Sequence, residues 1–494
     1  MGKQKRYVAL DFGIGNGVAM AGAFNGEKLE LEVMHRFIVR ATSMLNVKYW
    51  DFPSMIIHAK QGLYACTARH GATLAGIGCN SWSADFGLLD KTGHLLANPV
   101  HYMDSRTVGA PEKLFSVFPA RSLYQMNGVR SRRMKTLFQL YVMAQANNPL
   151  LDKAVTLLLL ADLVSYFLTG TPVQEYTLAT TTGMYDAESR DWSRDVILGA
   201  KIPPGMVPEV VAPGTVIGPL LDSVAGEVGL GQTPVIAPAS HGLACAVAAA
   251  PATGEDWLCL TLGYWCQVAA ELSAPVINDA SFTAGFSNLG GVDGSIRLEK
   301  EFLGLGVIDE CLRAWSRQEG IEVTIDEALA GAESETPLRR IINLNDPRIS
   351  EAADKTAVLN EILAETDQPP LENRNELVRT YLDSLVLTAR RAIEQLSELT
   401  GRRYETIHFV GQGASIASLG QAVADATGRV VKAGPAEAQA TGNIIMQMMA
   451  LGDIGSLAEA RELIRKSFSI PEYTPKENPG KWDEAYGKLR AMGG

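Results

Sequence analysis

The sequence predicts an α/β protein made of two halves that begin in the same way. Each half opens with an apolar strand, a glycine turn and a second strand, over residues 7–24 and again over residues 258–270. Before the second opening, residues 234–238 form a short apolar run bracketed by prolines, which is typical of a strand covered on both faces of a sheet. Apolar residues at helical spacing over residues 375–399 predict a long amphipathic helix.

The composition restricts the class of partner. The 494 residues carry a net charge of −11 at pH 7, and 47% of them are hydrophobic, which is typical of a globular protein with a large core. The negative charge argues against nucleic acid and against an anionic membrane as partners. The most apolar run, residues 154–168, contains Asp162 and is too short to span a membrane. The six cysteines form no CxxC pair, so we expect reduced thiols in a cytoplasmic protein. The oligomeric state does not follow from the sequence.

The elements follow from apolar runs and turn residues taken along the chain. Three strands are predicted at 7–11, 18–24 and 29–35, and Asn25-Gly26 favours a hairpin turn between the last two. Further elements are predicted as helices at 55–70, 137–146, 154–168, 305–313, 418–426 and 435–451, and as strands at 74–79, 295–299, 406–410 and 430–433.

The first glycine turn is a candidate phosphate-binding loop. The strand ends in Asp11, and Gly13, Gly15 and Asn16 follow it. Backbone N–H groups in such a loop can face an anion, and an acid at a strand end can hold Mg²⁺ through water. The alternative is a glycine-rich hairpin that binds nothing.

Polar and aromatic side chains follow the strand predicted at 74–79. Trp82 is suited to stack on the face of a sugar, while Asn80 and Asp85 are suited to hydrogen-bond its hydroxyl groups. The alternative is a half-buried tryptophan beside surface carboxylates.

The turn Ser240-His241-Gly242 links the central strand to a helix predicted at 243–250, with Ser240 as a plausible N-cap. A polar turn between a strand and a helix is where α/β proteins place binding groups. Taken alone, this segment favours the alternative of an ordinary strand–turn–helix without function.

The second half is expected to begin near residue 252, so we predict domains at 1–251 and 252–494. Residues 252–256 are small and polar, as linkers are. Gly411-Gln412-Gly413 lies between a strand and a helix and is a candidate nucleotide-binding turn. Residues 326–370 are acidic and read as a peripheral insertion.

Four stretches, residues 80–107, 168–186, 238–251 and 410–443, together resemble the FGGY carbohydrate kinases. The resemblance runs from Tyr7 to about Leu451. It implies two ribonuclease H-like domains of the actin/hexokinase type, with a sugar and ATP bound in a cleft between them. The implied reaction is ATP-dependent phosphorylation of a small sugar, a ketose such as rhamnulose or a related polyol, which would be the protein's partner.

The resemblance also implies the residues of the site, the sugar being bound by the first domain and the nucleotide by the second. The implied groups are Asn80, Trp82, Asp85 and His241 for the sugar; Gly13, Gly15, Asn16, Gly263, Tyr264, Gly411, Gln412 and Gly413 for ATP; Asp11 for Mg²⁺; and His241, Asp85 and position 242 for catalysis.

Several of these positions depart from the family pattern. The family has its aspartate base where this chain has Gly242, an aspartate at Asn80, and a small hydroxyl residue at Tyr264. Two explanations are open: a kinase with rewired chemistry, or a catalytically silent protein that binds a sugar or sugar acid. If only the base is missing, Gly242→Asp is expected to raise sugar-dependent ADP release by roughly tenfold.

Overall fold

The computed structural model describes residues 4–476 and 480–493. The chain divides into two compact units. The first unit comprises Met1–Pro251, Glu271–Leu298 and Glu437–Phe468, and the second comprises Ala252–Ala270, Glu299–Ala436 and Ser469–Gly494. The chain therefore passes between the units several times, and the first unit contains two segments from the second half of the sequence.

The strands up to residue 251 are β1 (Lys5–Phe12), β2 (Asn16–Phe24), β3 (Leu29–Ile38), β4 (Ala41–Met44), β5 (Val47–Trp50), β6 (Gly76–Ser81), β7 (Phe86–Leu89), β8 (Thr156–Leu159), β9 (Gln174–Glu175), β10 (Tyr185–Asp186), β11 (Asp191–Trp192), β12 (Val210–Val211), β13 (Thr215–Pro219) and β14 (Pro234–Ala237). The later strands are β15 (Trp257–Leu262), β16 (Trp265–Leu272), β17 (Ser287–Gly290), β18 (Ile296–Leu303), β19 (Thr406–Val410), β20 (Val430–Ala433) and β21 (Glu472–Tyr473).

The helices up to residue 251 are α1 (Phe52–His70), α2 (Ala110–Phe115), α3 (Ala120–Asn127), α4 (Thr136–Gln145), α5 (Pro149–Lys153), α6 (Leu160–Thr169), α7 (Tyr176–Ala179), α8 (Arg194–Gly199), α9 (Asp222–Val228) and α10 (Gly242–Ala248). The later helices are α11 (Asp279–Ala284), α12 (Gly306–Glu319), α13 (Ile325–Glu333), α14 (Pro347–Glu351), α15 (Lys355–Glu365), α16 (Arg374–Thr400), α17 (Ala417–Thr427), α18 (Ala438–Ala450), α19 (Leu457–Ser467) and α20 (Gly480–Ala491).

The first unit is built on a six-stranded sheet in the order β13-β14-β6-β1-β2-β3. Strand β1 pairs antiparallel with β2 and parallel with β6, and β14 pairs parallel with β6. The side chains of β1 from Tyr7 to Leu10 are fully buried, because helices cover both faces of the sheet at this point. The three antiparallel strands predicted at the N-terminus and the central strand are confirmed.

The second unit repeats this plan. Strand β15 pairs antiparallel with β16 and parallel with β19, and β19 pairs parallel with β20. An antiparallel pair joined to parallel strands therefore occurs in both units, as the repeated strand–glycine–strand pattern predicts. The predicted amphipathic helix is α16, which begins after the N-cap Asn373 and ends at Gly401 in the left-handed conformation.

Helices α10 and α18 lie in direct contact within the first unit. A methyl group at Gly442 of α18 would overlap the backbone carbonyl of Cys245 in α10. Small residues allow this approach, since α10 has the sequence GLACAVA and every one of its residues is buried. Both helices also contact β6, and α18 contacts β14.

Two local expectations are wrong. The run 154–168 is not one helix: residues 156–159 form β8, which pairs with β7, and α6 begins only at Leu160. A short apolar run fits a buried strand as well as a helix, and here the partner strand β7 decides. Ser240 is not the N-cap of α10 either, because that position is occupied by His241. No helix among the described residues is both long enough and apolar enough to cross a bilayer.

Candidate functional site

The ends of β1, β6 and β14 bring polar residues together in the first unit. Asp11 stands opposite Asn80 in the pairing of β1 with β6. One residue further along, Ser81 forms a bridge with His241, and the Ser81 N–H donates to the carbonyl of Ser240 at 2.9 Å. Side chains that follow the carboxyl ends of neighbouring parallel strands collect at one edge of a sheet. Asp11, Asn80 and His241 are therefore neighbours although they are far apart in sequence.

Asp11 is held by a chain of buried amides. Asn80 donates to the Asp11 carboxylate at 2.6 Å, and Asn443 of α18 donates to the Asn80 carbonyl at 2.8 Å. Gln447, one turn further along α18, donates to Asn443 at 2.7 Å. Asn80 is fully buried and hydrogen-bonded on both sides, so in this structure it positions Asp11. Its contact with a sugar stays a prediction.

Burial raises the pKa of Asp11 to about 7; the Asn80 hydrogen bond opposes that shift and the Glu437 carboxylate adds to it. The side chain is partly exposed, and the second carboxylate increases its attraction for a cation. The described residues contain no group of three or more His, Cys, Asp or Glu that would form a complete metal cage. A single carboxylate does fit Mg²⁺, which usually takes one or two protein carboxylates and completes its shell with water and phosphate oxygens.

Trp82 is held by Asp85. The Trp82 indole N–H donates to the Asp85 carboxylate at 2.8 Å, and the indole N–H of Trp50 donates to the same oxygen at 2.6 Å. Gln139 donates to the other oxygen at 3.2 Å. Asp85 is fully buried, and in this structure it fixes the orientation of two indole rings. Its direct contact with a sugar and its catalytic role stay predictions.

The two indoles belong to an aromatic group that the sequence did not reveal. Trp50 lies 4.5 Å from Trp82 and 4.3 Å from His101 between ring centroids. Burial lowers the pKa of His101 to about 3, so its ring is neutral. Trp82 itself is only partly buried and leaves an accessible apolar surface at the end of this group. That geometry is compatible with stacking on a sugar ring.

His241 is largely buried and neutral. The Arg297 guanidinium donates to its Nδ1 at 3.0 Å, which places the imidazole proton on Nε2. Burial, followed by the charges of Arg297 and Lys135, holds the pKa of His241 well below its ordinary value. A neutral His241 can donate a hydrogen bond through Nε2 but cannot act as a cationic group. Arg297 comes from the second half of the sequence, and no local pattern marked it.

Two buried carboxyl groups lie behind the Ser240–His241 turn. Glu175 accepts from the N–H of Ser240 at 3.1 Å and from the Thr177 hydroxyl at 2.6 Å. The Thr177 oxygen in turn accepts from the N–H of His241 at 3.0 Å. Burial raises the pKa of Glu175 to about 7, and burial together with Glu175 raises the pKa of Asp162. Glu175 therefore holds the Ser240–His241 turn in place. In the sequence, its position before a run of threonines was the one indication of such a role.

We expect the Glu175→Gln variant to gain stability over the parent as pH rises. The folded-state pKa of Glu175 is raised from 4.5 to about 7, so ionisation penalises the folded state increasingly between those values. The stability difference should grow by about 2–3 kcal/mol between pH 5 and pH 8 in favour of the variant. Thermal unfolding at several pH values measures it. The exposed Glu188→Gln is the control, and a difference that does not depend on pH would contradict the expectation.

Gly242 is the buried first residue of α10. A Cβ atom at this position would lie 2.6 Å from the Oε1 atom of Gln439 in α18. A side chain at position 242 would therefore have to displace the end of the exposed Gln439 side chain, which the sequence did not indicate.

The glycine loop after β1 is accessible in the first unit. Gly15 and Asn16 are exposed, and the N–H of Gly13 donates to the carbonyl of Asn16 at 2.8 Å to close the turn. An open, exposed turn of this kind beside Asp11 is compatible with phosphate binding.

In the second unit, the side chain of Tyr264 packs on a neighbouring helix and away from the turn that carries it. A methyl group at Gly306 would lie 2.8 Å from the Tyr264 ring, so the ring rests on the start of α12. The Tyr264 hydroxyl donates to Glu310 at 3.2 Å, and burial, followed by Glu310, raises its pKa to about 12. The side chain is thus engaged by its own unit. Gly263, just before it, is partly exposed, and a Cβ atom there would lie in ordinary contact, 3.5 Å from the carbonyl oxygen of Trp265.

The second glycine turn follows β19. Gly411 has a φ of +85°, a conformation that favours glycine, and nothing lies within 4 Å of the position of a Cβ atom there. Gln412 is exposed, while Gly413 is buried against the end of β15. The turn therefore presents backbone and one glutamine to solvent, as a nucleotide-binding turn would.

Comparison with family models identifies both halves of the chain. Residues 7–248 match the model described as "FGGY family of carbohydrate kinases, N-terminal domain", and residues 258–451 match the one described as "FGGY family of carbohydrate kinases, C-terminal domain".

Among curated proteins, the chain is 34% identical to a rhamnulokinase from Bacteroides thetaiotaomicron, over 98% of each protein. It is 31% identical to a rhamnulokinase from Oceanobacillus iheyensis, over 95% of this chain and 98% of the relative.

Among solved structures, a ligand-bound xylulose kinase from Lactobacillus acidophilus superposes with a TM-score of 0.81 at 16% identity, over 99% of this chain and 97% of that one. A glycerol kinase from Plasmodium falciparum with ADP gives a TM-score of 0.77 at 13% identity, over 99% of this chain and 97% of that one. These likenesses confirm the expected fold of two ribonuclease H-like domains.

Proposed function

Since the chain belongs to the FGGY family of carbohydrate kinases, we propose that it is an active member that transfers the terminal phosphoryl group of ATP to a ketose such as rhamnulose. The observation that carries the choice of sugar is the near full-length similarity to proteins named rhamnulokinase. The alternative of a catalytically silent sugar-binding protein has no support from the comparisons, because the relatives reported above are all named as kinases.

The proposed sugar site lies in the first unit. Trp82 offers an accessible indole for stacking, and Asp85 holds that indole in one orientation. His241 is proposed to donate a hydrogen bond to a sugar hydroxyl through Nε2, since Arg297 occupies Nδ1. Glu175 fixes the backbone of the turn that carries His241. Binding groups held by a second layer of buried partners keep a substrate in a reactive orientation, which is a large part of the rate enhancement in phosphoryl transfer.

Kinases of this family use ATP with a divalent metal ion, generally Mg²⁺, which neutralises the charge that develops on the phosphate oxygens when it is bound. Asp11 is the residue of this chain that would hold the metal, because it combines partial exposure with a nearby second carboxylate at Glu437. The turns at Gly13–Asn16, Gly263 and Gly411–Gly413 are proposed to meet the nucleotide. Tyr264 does not count against this, since its ring is held on α12.

The test combines nucleotide binding with turnover. We expect Mg-ATP to bind with micromolar to millimolar affinity, about 4–8 kcal/mol, and to raise the melting temperature at saturation. ADP release should depend on the added sugar, with a ketose such as rhamnulose among the best of a panel of ketoses, aldoses and sugar acids. Asp11→Asn keeps an acceptor for Asn80 but loses the charge, so its ADP release should fall by a factor on the order of 10² or more.

Three results would contradict parts of the proposal. A melting-temperature shift with a sugar but none with ATP, GTP or ADP would favour a silent binding protein. ADP release that does not respond to any sugar would remove the acceptor assignment. An Asp11→Asn variant as active as the parent would show that the metal is held elsewhere.

A further inference from the structure

We propose that the carboxamide of Gln439 occupies the place of the family's base and orients the acceptor hydroxyl beside Gly242. This inference rests on the proposed function and assigns to the same site an orienting residue from α18. Its starting point is steric. A Cβ atom at position 242 would lie 2.6 Å from Oε1 and 3.0 Å from Cδ of Gln439. A side chain at position 242 and the Gln439 carboxamide therefore compete for one space.

The position of Gln439 is fixed by the helix that carries it. Gln439, Asn443 and Gln447 are spaced four residues apart, so they lie on one face of α18. Asn443 is bound to Asn80, and Gln447 donates to the carbonyl of Val8 at 3.0 Å. These anchors at the strand ends set the rotation of α18 about its axis. They direct the first turn of the same face toward the start of α10.

Gln439 differs from the other two amides of this face in its surroundings. Asn443 and Gln447 are fully buried and bound within the protein, whereas Gln439 is exposed. Across residues 4–476 and 480–493, no hydrogen bond to its side chain is formed. Asn443 and Gln447 thus fix the rotation of α18, and the carboxamide of Gln439 on the same face has a donor and an acceptor that are free to bind a ligand. This carboxamide lies over position 242, to which the family resemblance assigns the base.

The chemistry of a carboxamide limits what Gln439 can do. Its Oε1 atom can accept the hydrogen bond of the acceptor hydroxyl and so aim the oxygen at phosphorus, but an amide does not take up a proton at neutral pH. In the transfer step the hydroxyl oxygen forms a bond to the terminal phosphorus, and the bond from that phosphorus to the ADP oxygen breaks. The hydroxyl proton passes to an oxygen of the transferred phosphoryl group. Positioning carries most of the catalysis in such a reaction, so an orienting amide suffices.

The earlier expectation for Gly242→Asp changes accordingly. An aspartate at 242 meets the Gln439 carboxamide, so this single change is expected to lower activity instead of raising it. The matched experiment is a cycle of four proteins: the parent, Gly242→Asp, Gln439→Ala, and the double variant. Gln61→Ala removes an exposed helical glutamine from α1 of the same unit and serves as the control.

We expect Gln439→Ala to lower kcat for the sugar by about tenfold or more with the KM for ATP nearly unchanged, while Gln61→Ala matches the parent. The double variant should exceed Gly242→Asp in kcat by about tenfold or more, because the carboxylate then has room to act as a base. The pH profile of its kcat should also differ from that of the parent, because the added carboxylate must be ionised to accept the proton. If the aspartate variant does not fold, Gly242→Ala replaces it and tests the shared space alone, through the melting temperatures and the kcat of the four proteins.

Three results would overturn the inference: an unchanged kcat in Gln439→Ala, equal effects of Gly242→Asp in both backgrounds, or a double variant whose kcat has the same pH profile as the parent. Melting temperatures of the four proteins test the shared space without turnover, since Gly242→Asp should cost more stability when Gln439 is present than in the Gln439→Ala background. If no variant phosphorylates any sugar, the proposed function fails by itself. The sugar-induced shift in melting temperature then tests the contact of Gln439 with the sugar. A loss of sugar affinity in Gln439→Ala supports that contact, and unchanged affinity contradicts it.

Discussion

The Gly442→Ala variant is expected to be the most destabilised single-methyl change in the first unit. Its added methyl group would overlap the backbone carbonyl of Cys245, where α18 contacts α10. A backbone group cannot rotate away as a side chain can, so the two helices must separate. We expect a cost of about 3 kcal/mol or more, at the upper end of what overpacking causes, and a fall in melting temperature on the order of 5–15 °C.

The same change should disturb the site. Gly442 lies beside Asn443 and three residues after Gln439, so a displaced α18 weakens the hydrogen bond from Asn443 to Asn80 and moves the amide above Gly242. Thermal unfolding and the apparent affinity for the sugar measure the two effects. Gly226→Ala is the control, because nothing lies within 4 Å of a methyl group there and alanine favours the helical backbone of α9. A Gly442→Ala protein as stable as the control would mean that α10 and α18 do not touch at this point.

The Asp85→Ala variant has the second largest expected effect. It removes the acceptor of the Trp50 and Trp82 indole groups and leaves the buried Trp50 N–H without a partner. Burial raises the pKa of Asp85 to about 6, so the carboxylate is largely ionised at pH 7.5 and its hydrogen bonds are charge-assisted. Loss of such a buried acceptor costs about 3–5 kcal/mol.

Thermal and urea unfolding at pH 7.5 measure this loss, and tryptophan fluorescence reports whether the two indoles become mobile. Asp85→Asn keeps one acceptor oxygen for the indoles and should lose less stability than Asp85→Ala. The exposed Asp152→Ala should lie within about 0.5 kcal/mol of the parent. Asp85→Ala with unchanged stability and only reduced catalysis would mean that Asp85 acts on the substrate directly.

The sequence did not show the hydrogen-bond partners of the assigned site residues, because those partners are remote in the chain. Asp85 and Asn80 are residue types that commonly bind sugars. Nothing in the neighbouring sequence shows that two indoles and two amides already form hydrogen bonds with them. Likewise, the occupant of the space above Gly242 comes from α18, nearly two hundred residues away. Hydrogen-bond satisfaction is a property of the folded neighbourhood, so a sequence indicates which groups are polar but not which are still free.

The sequence by itself determined the α/β class, the repeated strand–glycine–strand openings, the long helix α16 and the family. Apolar periodicity and glycine turns are local, and a match that extends over most of both halves does not depend on knowing any contact. The tertiary structure decided the division of 154–168 into β8 and α6, the neutral state of His241 beside Arg297, and the shared space of Gly242 and Gln439. Each of these depends on groups that only the packing of distant strands and helices brings within a few ångströms, where burial and sterics decide which of them can meet a ligand.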